Sequence, residues 1–210
     1  MLEAHGVKRL VALSSTSRFT KQSSSDPDEQ LFVRDLVEAE LQVEQWAKSK
    51  GVEWIILRPT LIYGTGQDRN ITEITRFILR FGFFPVFGKA DGLRKPVHVQ
   101  DVAGACMAAL QPTAAVNAAY NISGSETLTY REMVGRIFKL LGKQPRLISI
   151  PLWMFAAAVS VLRLIPRFSK WSSAMAERMN TDMVFDNVDA QRALGFEARP
   201  FILTPEDLPD

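Results

Sequence analysis

Two long apolar runs constrain this chain more than any other feature. Gly6-Val7-Lys8-Arg9-Leu10-Val11-Ala12-Leu13-Ser14-Ser15 reads as a strand ending in small hydroxyl residues, and Val52 to Tyr63 repeats the pattern one helix later. Strands this apolar belong in a parallel sheet covered on both faces. Such sheets bind ligands at the carboxyl ends of their strands, which directs attention to Ser14, Ser15 and Thr16 and to the turn after Leu57. No glycine-rich phosphate loop precedes the first run, so the chain opens on a strand expected late in such a sheet.

Between the runs, Asp26-Pro27 starts a helix that continues to about Lys50 and stops at Gly51. Phe32, Leu36, Ala39, Val43 and Trp46 recur at helical spacing and form its expected buried stripe. The second run breaks at Arg58-Pro59 into a turn-rich segment, Thr60 to Gly66. Beyond it the pattern predicts a helix over 70–81, a loop over 82–92 and an extended piece at Lys95–Val99. A helix capped by Asp101 should then reach about Leu110. A third buried strand follows at Ala119–Ser123, then a helix capped by Thr129 that ends at Gly142. Arg146 to Pro151 reads as a short strand, and Asp186 to Ala190 as the start of a last helix. The alternation is that of an α/β protein, with a sheet domain over 1–124 and a smaller mixed lobe over 125–210.

A chain of 210 residues with 47% apolar and 23% charged residues is ordinary for a globular protein. Its formal net charge of +2 gives no electrostatic basis for nucleic-acid binding. Cys106 is the single cysteine, which excludes a disulfide framework and fits a reducing compartment. His5 and His98 are the only histidines, so no metal-ligand spacing exists. No signal-peptide pattern stands before the first strand, and the cytoplasm is the expected location. One stretch, Trp153 to Ile165 between Pro151 and Pro166, is strongly apolar. It falls short of the roughly 20 residues a spanning helix needs and reads as a buried helix between lobes. Arg167, Lys170 and Trp171 beside it leave contact with a membrane surface open.

Four segments in order give the chain a resemblance. They are Leu13-Ser14-Ser15-Thr16; Arg58-Pro59-Thr60-Leu61-Ile62-Tyr63-Gly64; Arg94 to Ala103, with His98-Val99-Gln100-Asp101-Val102 inside it; and Asn187-Val188-Asp189-Ala190 followed by Leu194-Gly195-Phe196. Together they resemble the extended and atypical short-chain dehydrogenase/reductases, the NAD-dependent epimerase/dehydratase family. The resemblance implies the C-terminal part of a Rossmann-like doubly wound parallel sheet carrying a small mixed α/β substrate lobe. It implies NAD or NADP as cofactor and a nucleotide-sugar-like or other small carbonyl or hydroxyl substrate. Ser15 and Thr16 would take the place of the catalytic Ser/Thr. Ser14, Pro59, Thr60 and Leu61 would lie beside the cofactor, and Tyr63, Arg94 and His98 beside the substrate. By the same analogy a homodimer would form through the helix bearing Phe32 and Trp46.

Three departures temper these implications. The family's Gly-x-x-Gly-x-x-Gly fingerprint is absent, and at about 30 residues per strand–helix–strand unit the expected missing front is roughly 80–90 residues. The family's Tyr-x-x-x-Lys pair, on one helical face, moves a proton to or from the substrate oxygen. Aligned on Ala39-Glu40, those positions hold Phe32 and Leu36, and no other tyrosine has a lysine four residues on. Leu61 replaces the Asn common in sugar-nucleotide enzymes. Weak or absent catalysis is therefore expected, the alternative being a non-catalytic dinucleotide sensor or scaffold. Structural roles are expected for Arg58, as donor to backbone carbonyls, for Tyr63 against the sheet, and for His98 as a hydrogen-bonding residue.

Overall fold

The computed structural model describes residues 6–22, 24–112, 115–155 and 173–209. In chain order its elements are β1 (Arg9–Leu13), α1 (Ser17–Thr20), α2 (Pro27–Lys50), β2 (Glu53–Pro59), β3 (Ile62–Tyr63), α3 (Ile71–Phe81), β4 (Phe84–Phe87) and β5 (Leu93–Arg94). They continue with β6 (Val97–His98), α4 (Val99–Ala109), β7 (Ala118–Ile122), β8 (Leu128–Thr129), α5 (Tyr130–Leu140), β9 (Leu147–Ile150), α6 (Ser173–Met179) and α7 (Val188–Leu194), and a 3-10 turn at Pro205–Asp207.

The α/β class and the parallel sheet are as expected. β1, β2 and β7 form a three-stranded parallel sheet in that order, with Leu13 opposite Leu57 and Leu57 opposite Tyr120. β2 is buried on both faces. Ile55 and Leu57 pack with Val102, Tyr120, Ile122 and Phe196, while Trp54 and Ile56 pack with Ala47 of α2 on the other side. A strand covered on both sides has no polar alternation, which is why β2 reads as one apolar run. A second core joins Tyr63, Ile78, Val86, Met133, Phe138 and Phe201, drawing on residues before and after position 124. Parallel β4–β9 and antiparallel β5–β8 ribbons border it.

Three local expectations change. The fully buried residues of α2 are Val33, Glu40 and Ala47; Val43 and Trp46 pack against the core as expected, while Phe32 is 48% exposed. The centre of the buried face is turned by about one residue because a charged group, Glu40, faces the sheet and finds its partners there. His98 rather than Asp101 caps α4: its Nδ1 accepts from the Gln100 N–H at 3.2 Å. Asp101 instead accepts from the Arg199 backbone N–H at 3.0 Å and from its Nε at 2.8 Å. The expected loop over 82–92 contains β4, whose apolar Phe84-Pro85-Val86-Phe87 pairs with β9 some sixty residues on. Of the apolar stretch Trp153–Ile165, residues 156–165 lie outside the described residues. No described helix is long and apolar enough to cross a membrane. The Thr129 cap is present as a full capping box with Glu132, and Gly51 ends α2 at φ 62°.

Candidate functional site

The carboxyl ends of the sheet strands are stitched to one another. Ser14 N–H donates to the Leu57 carbonyl at 2.8 Å, Thr16 N–H to Pro59 at 3.1 Å and Thr60 N–H to Ile122 at 2.9 Å. A cavity of about 1040 Å³ opens there, reaching from Ser15, Thr16 and Thr60 at the strand ends to Arg94, Tyr130 and Arg178 in the lobe.

The hydroxyls at the strand ends are engaged. Thr16 Oγ1 donates to the Pro59 carbonyl at 3.2 Å. Ser15 Oγ accepts from the Ser17 N–H at 3.1 Å and lies 3.0 Å from the Ser17 hydroxyl. Thr60 Oγ1 donates to the Lys95 carbonyl at 2.5 Å. Ser14 turns away from the cavity and donates to Glu40. Arg58 also goes to Glu40, through Nε at 3.0 Å and Nη2 at 2.6 Å, and Arg18 pairs with the same carboxylate. Arg58 thus binds a side-chain anion rather than the backbone carbonyls expected of it. Burial holds the Arg58 pKa below its ordinary value, and burial together with the charge of Arg58 does the same to Arg18.

Phe32 and Leu36, expected in place of the family's proton-transfer pair, do not line the cavity. Lys21, which follows α1, does. Its Nζ lies 3.1 Å from Glu29 Oε1 and 5.6 Å from the centre of the Phe32 ring. Glu29 also pairs with Arg178 from α6, so the ions bridge the lobe to the start of α2. Burial alone would raise the Glu29 carboxyl. The Ser24 hydrogen bond and the charges of Arg178 and Lys21 outweigh it and hold the group below the usual carboxylate range.

Arg94 is 4% exposed. Its Nη1 donates to the Leu93 and Thr181 carbonyls, each at 2.8 Å, and its Nη2 to the Arg178 carbonyl. Its guanidinium carbon lies 5.6 Å from the Tyr130 ring centre. Among the described residues no carboxylate forms a salt bridge with it, and burial pushes its pKa down to about 10. Three backbone carbonyls, the Tyr130 ring and the charge of Asp182 offset the cost of burying it.

Tyr63 and His98 stand behind the cavity wall. Tyr63 is fully buried, edge-on to His98 at 5.1 Å and to Phe201 at 4.8 Å. His98 Nε2 lies 3.1 Å from Asp207 Oδ1, and since Nδ1 accepts from Gln100 the ring donates to that carboxylate. His98 takes the structural hydrogen-bonding role expected of it, whereas Tyr63 packs in the lobe core with Phe201 rather than against the sheet. Of the predicted site residues, the cavity gathers Ser15, Thr16, Thr60, Leu61 and Arg94, and excludes Ser14, Phe32, Leu36, Pro59, Tyr63 and His98. It adds Lys21, Phe77, Met133, Arg178, Met179 and Met183. Local pattern gave no signal for these, since Lys21 sits in a Ser-rich loop and Arg178 in a short helix far along the chain. No cluster of metal ligands exists among the described residues.

Residues 1–123 match the NAD dependent epimerase/dehydratase family. The chain belongs to this family. An uncharacterized protein of Sinorhizobium fredii, y4nG, is 28% identical over 93% of this chain and 50% of its own length. The mitochondrial NADH dehydrogenase (ubiquinone) 1 alpha subcomplex subunit 9 of Arabidopsis thaliana is 30% identical over 47% of this chain and 25% of its own. The UDP-glucose 4-epimerase of Thermotoga maritima, solved with UDP-glucose, superposes with a TM-score of 0.69 at 18% identity. That match covers 98% of this chain and 62% of the epimerase. The chain thus spans about half the length of the first curated relative it matches.

The family's name implies a dinucleotide. The described residues of this family member offer one wall for it, at Ser15, Thr16 and Thr60. They do not offer a diphosphate cradle: α1, the helix after β1, has four residues and follows Leu13-Ser14-Ser15-Thr16 without a glycine. The described residues therefore do not fit the seat of a dinucleotide's diphosphate.

Proposed function

We propose that this chain forms the substrate side of an NAD(P)-dependent epimerase/dehydratase- or reductase-like site. Its ligand is a small carbonyl or hydroxyl compound with an anionic end, a description that a nucleotide sugar meets. The observation that carries this is Arg94, a buried guanidinium in no salt bridge among the described residues, on the wall of the cavity that opens at Ser15 and Thr16. Catalysis is weak, because neither Phe32 nor Leu36 can carry a proton and a missing general acid/base costs about 10²–10⁴-fold. NAD or NADP is the cofactor, the location cytoplasmic and the assembly a homodimer. A second reading, a dinucleotide sensor or scaffold without turnover, is favoured by the same two apolar residues.

Calorimetric titration of the full chain with pyrophosphate and with UDP tests the site. Binding of either, abolished by Arg94→Met, supports it; no binding of either overturns it. NADPH oxidation then separates the two readings. Turnover supports the enzyme, and NADPH binding without turnover supports the sensor.

A further inference from the structure

The lobe half of the cavity is chemically unlike its mouth. Apart from Arg94, Tyr130 and Arg178 it is lined by Leu61, Phe77, Phe87, Met133, Met179 and Met183, and none of these six side chains carries a strong donor or acceptor. Met133 is fully buried and Met179 is 6% exposed, so the lobe core continues directly into the cavity wall. Phe87 and Phe155 close one side with their rings 3.9 Å apart. Of the hydroxyls on the cavity, Thr16 and Thr60 already donate to Pro59 and Lys95, and Tyr130 stands beside Arg94, at the end the anion would occupy.

We infer that the ligand of this site carries an aliphatic chain, acyl or prenyl, which lies along Leu61, Phe77 and the three methionines while its anionic end meets Arg94. This rests on the proposal above that the cavity is a small-molecule site. Each hydroxyl of a sugar buried against this wall without a partner would lose its hydration unreplaced, whereas each methylene of a chain would gain by leaving water. Methionine suits a flexible chain better than a rigid ring, since an unbranched thioether adapts its shape to what it meets. The volume, about 1040 Å³, stands at the upper end of the roughly 300–1,000 Å³ usual for small-molecule sites, leaving room for a tail beside a head group. Leu61 then has a positive role: where an amide would bind a sugar hydroxyl, an isobutyl group packs against methylenes.

The test is fluorescence titration of the full chain with cis-parinarate, a fluorescent fatty acid, in parallel with UDP-glucose and pyrophosphate. The expected result is saturable parinarate binding, displaced by dodecyl phosphate. Met183→Asp should weaken it by at least about tenfold, since a carboxylate in an apolar wall must lose its hydration. Leu61→Asn should weaken it in the same direction, and serves if Met183→Asp changes the far-UV spectrum. Binding of UDP-glucose or pyrophosphate without parinarate overturns the aliphatic assignment and leaves the small-molecule site standing. Parinarate binding unchanged by both substitutions also overturns it. No binding of any probe overturns both.

Discussion

The ammonium of Lys21 stands 5.6 Å from the centre of the Phe32 ring, so the first turns of α2 face a cation from the residue that ends α1. A phenol placed there by Phe32→Tyr should titrate below the usual value near 10, by up to about one unit, because a nearby cation favours its ionised form. Lys21→Met should reverse the shift. Ultraviolet difference titration reads this cleanly, since burial raises the pKa of Tyr63 and Tyr130 to about 12 and that of Tyr120 as well.

Glu40 is the common anion for Arg58, Arg18 and Ser14. Glu40→Gln leaves two partly buried guanidiniums without a charge partner. Urea denaturation should show a loss of about 3–5 kcal/mol, the range for breaking a buried ion pair from one side. A loss under about 1 kcal/mol would place the pair among surface ion pairs instead.

Acid should weaken the fold through Asp207 and Glu29. Burial alone would raise the Asp207 carboxyl, and hydrogen bonds from Thr204 and His98 outweigh it, so its folded pKa lies below its ordinary value. Glu29 is lowered likewise. A depressed folded pKa means that the stabilisation is complete above the unfolded pKa and is lost as pH falls through the folded one. The urea midpoint should therefore drop from about pH 4.5 downward, and Asp207→Asn should flatten that slope.

Two glycines should respond differently to alanine. A Cβ at Gly51 meets nothing within 4 Å, so Gly51→Ala carries only the strain of its φ of 62°, about 1 kcal/mol. At Gly124 the Cβ would stand 1.9 Å from the Pro96 carbonyl oxygen, a backbone atom. Gly124→Ala should cost about 1–3 kcal/mol more, as overpacking does. Thermal melts of the two variants give the comparison.

Much of the sheet was legible because β2 is buried on both sides, and such a strand declares itself as an unbroken apolar run. The ends of α2 were legible too, in Asp26-Pro27 and Gly51. The phase of α2 was not, because a buried Glu40 looks like a solvent-facing residue until Arg58 and Arg18 are placed against it. β4 escaped notice since its partner, β9, is remote in sequence and Pro85 interrupts its pattern. Ser15, Thr16, Thr60, Leu61 and Arg94 were found through motif, whereas Lys21, Arg178 and Met183 reach the cavity only by tertiary folding.

The His98–Asp207 contact draws the Pro205–Asp207 turn across the rim, where Leu208 O would lie 2.3 Å from a Cβ on Gly66. The rim loop and this distant tail have accordingly been fitted to each other as one piece of relief. Chimaeras that transplant residues 60–70 into a homologous scaffold will keep their shape only when 204–208 travel with them.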